Sequence, residues 1–456
     1  MHKTVVINVV GLSPALIGAH TPRISALAAA GATARVNPVL PAVTCSVQSS
    51  YLTGAWPDEH GIVGNGWYFR EEAEVRFWRQ SNRLVQKPSV WDLAKQIDPK
   101  MTAANLFWWY NMYSSADYSV TPRPMYPADG RKLPDIHTHP LPMRDDLQRK
   151  LGQFPLFKFW GPASSIDSST WITSAAIEVD RTHRPTLTLV YLPHLDYCLQ
   201  KLGPDDPAIA AELRAVDAEV GRLLDHFAGA NILLLSEYGI SPVSRPVHIN
   251  RALRENNLIR IRDELGRELL DCGASLAFAV ADHQVAHIYV NDSRVLEETR
   301  KIVAALRGVA RVYVGDQRRE IHLNHDRAGD IIAIAEPDAW FTYYYWFDDR
   351  SAPDFARTVD IHRKPGYDPV ELFLDPTISR PKLKIAGKLL RKKLGMRYLM
   401  DVIPLDASLV KGSHGAPPIS AEAGPVLITN RAELVTKAAY EAPEVCRLIL
   451  DHLQRA

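Results

Sequence analysis

The stretch VVINVVG, at residues 5–11, places five apolar residues around a single asparagine and ends on a glycine. Two further runs, TLTLVY at 186–191 and ILLL at 232–235, are also apolar or β-branched, and helix-like stretches separate the three. Continuous apolar strands of this kind are typical of a parallel sheet covered by helices on both faces. We therefore predict an α/β fold with a central, mostly parallel sheet sandwiched by helices, and with a smaller α+β insert.

The segments that follow these three runs are predicted to form a ligand site. In open α/β sheets, the ligand crevice lies beyond the carboxyl ends of the strands. Gly11, residues 194–196 and residues 236–238 come directly after the runs or within a few residues of them. We expect these segments to lie close together in the folded chain.

The chain is predicted to consist of a core with two additional parts. Residues 1–245 carry the three apolar runs and form the core. Within them, residues 66–160 are rich in Trp and Pro, which favours an aromatic-rich insertion or cap over another strand–helix repeat. Residues 246–350 alternate helix-like and strand-like patterns and are predicted to be a small α+β subdomain. Residues 351–456 return to the core and carry the last histidine motif.

Composition restricts the class of protein further. The chain has 456 residues, of which 46% are hydrophobic and 23% charged, and these values exclude a disordered, collagen-like or coiled-coil protein. With 53 basic and 52 acidic residues the net charge is +1, which provides no overall field for a nucleic acid duplex. Four cysteines without a C-x-x-C pair favour a reducing, cytoplasmic compartment. No signal peptide or transmembrane segment is expected, because the apolar runs are too short.

Thr44 is predicted to be the first residue of a helix that ends at Gly54. A hydroxyl at that position lies beside free backbone N–H groups and the positive end of the helix dipole, which favour an anion such as phosphate. The alternative is an ordinary threonine that caps a helix. Thr44 alone does not distinguish the two interpretations, so the neighbouring motifs decide between them.

Several short motifs accompany Thr44 in a fixed order. They are TGAWPDEHGIVGN at 53–65, LPHLD at 192–196, SEYG at 236–239 and KGSHG at 411–415. This order resembles the alkaline phosphatase superfamily, and within it the nucleotide pyrophosphatase/phosphodiesterase branch. The resemblance implies an alkaline phosphatase-like core and two ions of zinc or another divalent metal. It also implies that Thr44 is the nucleophile and that Asn65 donates to a phosphate oxygen.

The metal-ligand set that the resemblance implies is altered at four positions. Val10 stands where the family has an aspartate, and Gln200 and Tyr238 stand where it has histidines. Glu237 replaces an aspartate, which keeps a carboxylate at that position. Because valine cannot bind a metal, the resemblance predicts an incomplete or rebuilt ligand set.

Three metal ligands are predicted from the positions that remain. Asp196 and His414 would hold one ion, and Glu237 would hold the other together with Thr44. Catalytic zinc usually has three protein ligands, so each ion is one ligand short. Additional ligands or groups lining the site are therefore sought at His194, Gln200, Tyr238, His283, Asp360 and His362.

Three functions follow from these observations. The first is a metal-dependent hydrolase of phosphodiester or pyrophosphate bonds in a small phosphorylated substrate, in which Thr44 attacks phosphorus in line. The second is a protein that retains the fold and serves as a non-catalytic or repurposed binding protein in a biosynthetic pathway. The third is a hydrolase of another phosphate, phosphonate or sulfate ester, since function resides in the site and not in the fold. The pattern leaves the oligomeric state open.

The stretch Arg380–Arg397 contains eight basic residues among leucines and an isoleucine. This pattern predicts a solvated helix with its leucines buried. Contact with a membrane surface or a polyanion is the alternative.

Overall fold

The computed structural model describes residues 1–455, in which a nine-stranded central sheet is the largest element. Its middle strands contain most of the three apolar runs at residues 5–11, 186–191 and 232–235. The strands are β1 (Thr4–Val9), β2 (Ala32–Asn37), β3 (Gly66–Phe69), β4 (Glu74–Phe77), β5 (Ala103–Leu106), β6 (Tyr118–Pro122), β7 (Ile136–His139), β8 (Leu187–Leu192), β9 (Asn231–Leu235), β10 (Ser241–Pro242), β11 (Arg245–Val247), β12 (Arg260–Glu264), β13 (Arg267–Asp271), β14 (Ala277–Asp282), β15 (Val285–Val290), β16 (Val309–Val314), β17 (Ile331–Ala335), β18 (Ala339–Phe341), β19 (Gly412–Ser413), β20 (Val426–Thr429) and β21 (Ala439–Glu441).

The central sheet has the strand order β21-β2-β20-β9-β1-β8-β5-β6-β7. Its five parallel pairs include β1 with β8 and β1 with β9, and three pairs are antiparallel. Thr4 of β1 lies opposite Leu187 of β8 and Asn231 of β9. Because these three strands run in the same direction, their carboxyl ends meet at one edge. The predicted α/β fold with a mostly parallel sheet is confirmed.

Helices cover the central sheet in two groups. One group consists of α1, α5, α6, α7 and α9, and the other of α2, α4 and α13. The helices are α1 (Pro22–Ala30), α2 (Thr44–Thr53), α3 (Pro57–His60), α4 (Val90–Ile97), α5 (Pro142–Leu151), α6 (Leu156–Phe159), α7 (Asp167–His183), α8 (His194–Leu202), α9 (Ile209–His226), α10 (Ile249–Glu255), α11 (Leu296–Ala304), α12 (Pro381–Lys393) and α13 (Glu444–Gln454). Every residue of β1, β8 and β9 is buried, as expected for strands covered on both faces.

A second, antiparallel sheet of order β14-β15-β17-β16 has its own hydrophobic core. Helix α10 packs on β14, and α11 packs on β16. The aromatic run at 340–346 lies in this core with all of its side chains buried. This sheet and its two helices lie within residues 246–350.

The segment 66–160 differs from the expected insertion. Strands β5, β6 and β7 belong to the central sheet and extend it beyond β8. The sequence pattern missed them because each has only four or five residues and lies among aromatic loops. The hairpin β3–β4 packs on the second core instead, and so does Tyr110. Further along the chain, β20 and β21 return to the central sheet, and the last residue of the 351–456 segment lies outside the described residues.

The motif at 53–65 holds α2 in place. Gly54 ends the helix with φ 69°, a left-handed conformation that glycine adopts without strain. The buried imidazole of His60 contacts the Ser50 hydroxyl at 2.9 Å and accepts a hydrogen bond from the Ile62 N–H at 3.1 Å. These contacts fix the direction of α2, whose first residue is Thr44, as predicted.

Candidate active site

Three polar residues meet at the carboxyl edge formed by β1, β8 and β9. Tyr238 comes after β9 in the chain, and its hydroxyl oxygen lies 3.0 Å from the Thr44 hydroxyl oxygen. The same phenol donates to Oδ1 of Asp196, which follows β8, at 3.3 Å. A phenol has a single proton, so the Thr44 hydroxyl donates to Tyr238 and Tyr238 donates to Asp196. We call this chain of hydrogen bonds the Thr44 relay.

Two further side chains orient the carboxylate of the relay. Gln200, one turn after Asp196 on α8, donates its amide N–H to Oδ2 of Asp196 at 2.9 Å. Tyr367 in turn donates to the Gln200 carbonyl oxygen at 3.0 Å. Burial raises the pKa of Asp196 to about 7, although both hydrogen bonds that it accepts favour its charged form. A carboxyl with that pKa can take up and release a proton near neutral pH.

His414 lies flat on the ring of Tyr238. The two ring centroids are 3.6 Å apart, with an angle of 6° between the planes. His414 Nδ1 donates to the carbonyl oxygen of Ala42 at 2.8 Å, so its Nε2 carries a lone pair. That Nε2 is 3.5 Å from Oδ1 of Asp196. Burial holds the pKa of His414 well below its usual range, so the imidazole is neutral.

Glu237 belongs to a hydrogen-bonded group at the end of β1, next to the Thr44 relay. Its Oε1 accepts from Asn8 at 2.6 Å and from Gln48 at 2.5 Å. Its Oε2 is buried and has no hydrogen-bond partner among the described residues. Burial raises the pKa of Glu237 to about 8, which makes the protonated form dominant at neutral pH.

We expect the Glu237→Gln protein to lose a pH dependence of stability that the parent shows. The ordinary pKa of 4.5 rises to about 8 in the fold, so the folded state binds the extra proton and its stability falls as pH rises through this window. At about 1.4 kcal/mol per pKa unit, the loss between pH 5 and pH 9 is on the order of 4 kcal/mol. Urea unfolding across this range measures it. Glu298→Gln, at an exposed site, is the matched control. If the free energy of unfolding had the same pH dependence in the parent and in Glu237→Gln, the raised pKa of Glu237 would be contradicted.

Asn65 links α2 to the second sheet. Its Oδ1 accepts from the Cys45 N–H at 3.0 Å, and its Nδ2 donates to Oδ1 of Asp282 at 3.1 Å. His283 contacts the same Asp282 oxygen through Nδ1 at 2.8 Å and packs against the rings of His414 and Tyr367. Asn65 thus contacts the backbone of Cys45, the residue next to Thr44. Its role as a phosphate donor stays a prediction.

The remaining candidate residues lie apart from the relay. His194 is the first residue of α8 and not part of a strand, so its side chain turns away and contacts Glu212 at 2.7 Å. His194 is therefore not among the groups that line the cavity beside the relay. Asp360 and His362 line the outer part of the cavity described next, where His362 Nδ1 donates to the Phe77 carbonyl at 3.3 Å.

A cavity of about 650 Å³ leads to the relay. Thr44, Asp196, Tyr238 and His283 lie at its inner end. Many of its lining residues are aromatic, and its outer part is lined by aliphatic and basic residues. The aromatic residues are Trp78, Trp109, Tyr126, Phe157, Phe159, Trp160, Tyr191, Tyr197, Tyr367 and Tyr398. A pocket that is largely apolar with a few convergent polar groups is typical of a small-molecule site.

The residues present do not fit the pair of metal ions that the family pattern implies. Val10 is a fully buried apolar residue without a donor atom. Tyr238 and Gln200 act as hydrogen-bond donors to Asp196. In residues 1–455 no group of three His, Cys, Asp or Glu side chains is arranged to hold a metal. Asp196 and His414, which were predicted to share one ion, approach each other to 3.5 Å. Glu237, which was predicted for the other ion, accepts hydrogen bonds from Asn8 and Gln48, and the assignment of all three as metal ligands stays a prediction.

Comparison with known families identifies the relatives of this chain. The model of the type I phosphodiesterase/nucleotide pyrophosphatase family matches residues 4–368. The chain belongs to this family. The resemblance to the nucleotide pyrophosphatase/phosphodiesterase branch is confirmed.

Three proteins similar to this chain share little of its sequence. An uncharacterised pyrophosphatase/phosphodiesterase of Schizosaccharomyces pombe is 24% identical over 218 residues, 45% of this chain and 38% of that protein, so the match spans about two-fifths of the relative. Phosphonoacetate hydrolase of Sinorhizobium meliloti, solved with phosphonoformate, has a TM-score of 0.63 at 15% identity over 99% of this chain and 96% of that one. Human ectonucleotide pyrophosphatase/phosphodiesterase 5 has a TM-score of 0.61 at 14% identity, over 100% of this chain and 95% of that one. These two likenesses show the shared fold.

Sequence reasoning missed several groups around the relay. Tyr367 and Gln48 were not among the candidates, although Tyr367 orients Gln200, and Gln48 holds both Glu237 and the Trp109 N–H. Gln48 lies one turn after Thr44 on α2, and that spacing is the signal that could have identified it. Tyr367 has no comparable local signal, because its partner is 167 residues away.

None of the helices in the described chain combines the length and apolar character that crossing a membrane requires.

Proposed function

We propose that this protein hydrolyses a phosphoester or pyrophosphate bond of a small phosphorylated compound, with Thr44 as the nucleophile. The Thr44 relay carries this proposal, because it connects a hydroxyl at the floor of a cavity to a carboxyl whose pKa is raised to about 7. A hydroxyl is a weak nucleophile until a neighbouring base removes its proton. The family to which the chain belongs supports the reaction class.

The proposed reaction has two displacement steps. The Thr44 oxygen forms a bond to phosphorus as the bond from phosphorus to the leaving oxygen breaks. The Thr44 proton passes to the Tyr238 oxygen while the Tyr238 proton passes to the Asp196 carboxylate, which later returns it to the leaving group. Water then attacks phosphorus as the bond from phosphorus to the Thr44 oxygen breaks. Asp196 accepts a proton from that water through Tyr238 and returns it by the same route to the Thr44 oxygen, which restores the hydroxyl. The helix that begins at Thr44 presents its positive end to the phosphoryl charge.

Trapping the covalent intermediate tests this proposal. Purified full-length protein is mixed with bis(p-nitrophenyl) phosphate and quenched with acid, and its peptides are analysed by mass spectrometry. We expect p-nitrophenol release and a p-nitrophenyl-phosphoryl adduct on the peptide that contains Thr44. Turnover without an adduct on Thr44 under single-turnover conditions would contradict the nucleophile. The absence of turnover on any phosphodiester or pyrophosphate would support instead a binding protein that retains the fold.

The same assay separates the relay from assistance by a metal. One sample is dialysed against a chelator, and a second receives zinc or magnesium after dialysis. Equal turnover in both supports proton transfer through Tyr238 and Asp196. Loss of turnover in the chelator, with recovery on adding the metal, would contradict the relay but not the attack by Thr44.

A further inference from the structure

Helix α12 is a strongly basic surface helix whose leucines are exposed. From Arg380 to Arg397 the chain has eight basic and no acidic residues. No residue of α12 is buried, so the predicted burial of its leucines is wrong. The basic residues are Arg380, Lys382, Lys384, Lys388, Arg391, Lys392, Lys393 and Arg397.

Two opposite faces of α12 have different roles. On the inner face, Lys384 and Lys388 pair with Asp401, and Ile385 packs against the second core. On the outer face, Leu383, Leu390 and Leu394 recur at intervals that place them on one side of the helix. Their exposed fractions are 62%, 57% and 66%, which leaves a continuous apolar stripe without a partner in the described chain.

Cations flank this stripe on both sides. At 100° per residue, Lys382 and Lys393 lie on one side of the leucines and Arg391 lies on the other. Helices with an apolar stripe between Lys and Arg side chains lie in the interface of anionic lipid bilayers. The stripe supplies apolar burial, and the flanking cations meet the negative headgroups.

The cavity that leads to Thr44 lies directly beneath α12. Ile385, Leu389 and Lys392 of the helix line it, together with Leu399 and Met400 of the following loop. Phe157 and Leu374 at the same cavity are exposed apolar side chains. The outer part of the cavity therefore has the same apolar and basic character as the stripe beside it.

We propose that α12 docks on an anionic lipid surface and that the cavity beneath it receives a phosphoester with an apolar chain. The apolar chain packs on the aromatic wall, and the phosphoryl group reaches Thr44. The docking depends on α12 alone, whereas the identity of the substrate rests on the proposed function.

Vesicle binding by the full-length protein tests the docking. We expect binding to vesicles of phosphatidylcholine with phosphatidylglycerol, and binding at least about tenfold weaker to phosphatidylcholine alone. The double variant Leu383→Gln/Leu390→Gln should weaken binding to the anionic vesicles by more than about tenfold. The matched control, Leu141→Gln/Leu265→Gln, removes two exposed leucines elsewhere and should bind as the parent does. Equal binding by all three proteins would overturn the proposal.

Two further measurements distinguish the alternatives. If a duplex DNA fragment binds as tightly as the anionic vesicles, and the leucine variant leaves both unchanged, α12 is a polyanion site and the proposal fails. The Thr44→Ala protein should bind vesicles normally, so a failure of the proposed hydrolysis leaves the docking result intact. With the parent, kcat/KM for alkyl p-nitrophenyl phosphodiesters should rise with the length of the alkyl chain. A flat dependence, with turnover present, would overturn the assignment of the cavity.

Discussion

The Thr44→Ala protein is expected to lose hydrolysis of bis(p-nitrophenyl) phosphate by roughly 10³-fold or more, because the attacking oxygen is removed. The hydroxyl contributes one hydrogen bond to the fold, to Tyr238, so the cost in stability is only about 1 kcal/mol. Initial rates and urea unfolding on the same preparation measure the two effects. Thr44→Ser keeps an oxygen at the same position and should retain a substantial part of the activity.

Thr53→Ala is the matched control for this experiment. Thr53 lies at the other end of α2, is buried, and donates to the Ser49 carbonyl at 2.7 Å. The Thr53→Ala substitution removes a buried hydroxyl from the same helix and leaves the Thr44 relay intact. We expect nearly normal turnover. If Thr44→Ala were as active as Thr53→Ala, the nucleophile would have to be another group, and the proposed reaction would be wrong.

Much of the framework of this site could be predicted from the sequence. The apolar runs that became β1, β8 and β9 correctly placed three polar segments at one edge of a sheet. The start of α2 at Thr44 and its end at Gly54 also followed from local signals. These features depend on periodicity and on residues close together in the chain, which is the information that a single sequence contains.

The chemistry of the site was harder to predict. Tyr238 and Gln200 were read as lost metal ligands, yet they donate hydrogen bonds to Asp196 in the fold. Tyr238 lies 194 residues from Thr44, and no local pattern states that their hydroxyls meet. His194 was also a candidate for the site, but a helix begins there and its side chain contacts Glu212 instead. Such details depend on tertiary packing of side chains.

The Asp196→Asn protein should be slower by roughly 10²-fold or more and should lose the acidic limb of its pH–rate profile. In the parent, kcat/KM should rise with pH through about 7, since Asp196 accepts a proton only when it is ionised and burial raises its pKa to that value. Asparagine keeps the shape of the side chain but cannot accept the proton. Initial rates of p-nitrophenol release between pH 5 and pH 9 measure both effects.

Tyr238→Phe tests the middle of the relay by removing one oxygen. The ring stack on His414, at 3.6 Å, can remain, so a loss of rate comparable to that of Asp196→Asn would be assigned to the missing hydroxyl. Tyr343→Phe is the control, because the Tyr343 hydroxyl is buried in the second core without a hydrogen-bond partner in the described chain.

If Asp196 served only to hold Tyr238 in place, Asp196→Asn would keep the acidic limb of the pH–rate profile. If protons left Thr44 by another route, Tyr238→Phe would turn over at the parent rate. Either result would remove the relay from the mechanism, even if Thr44 itself were trapped as the nucleophile.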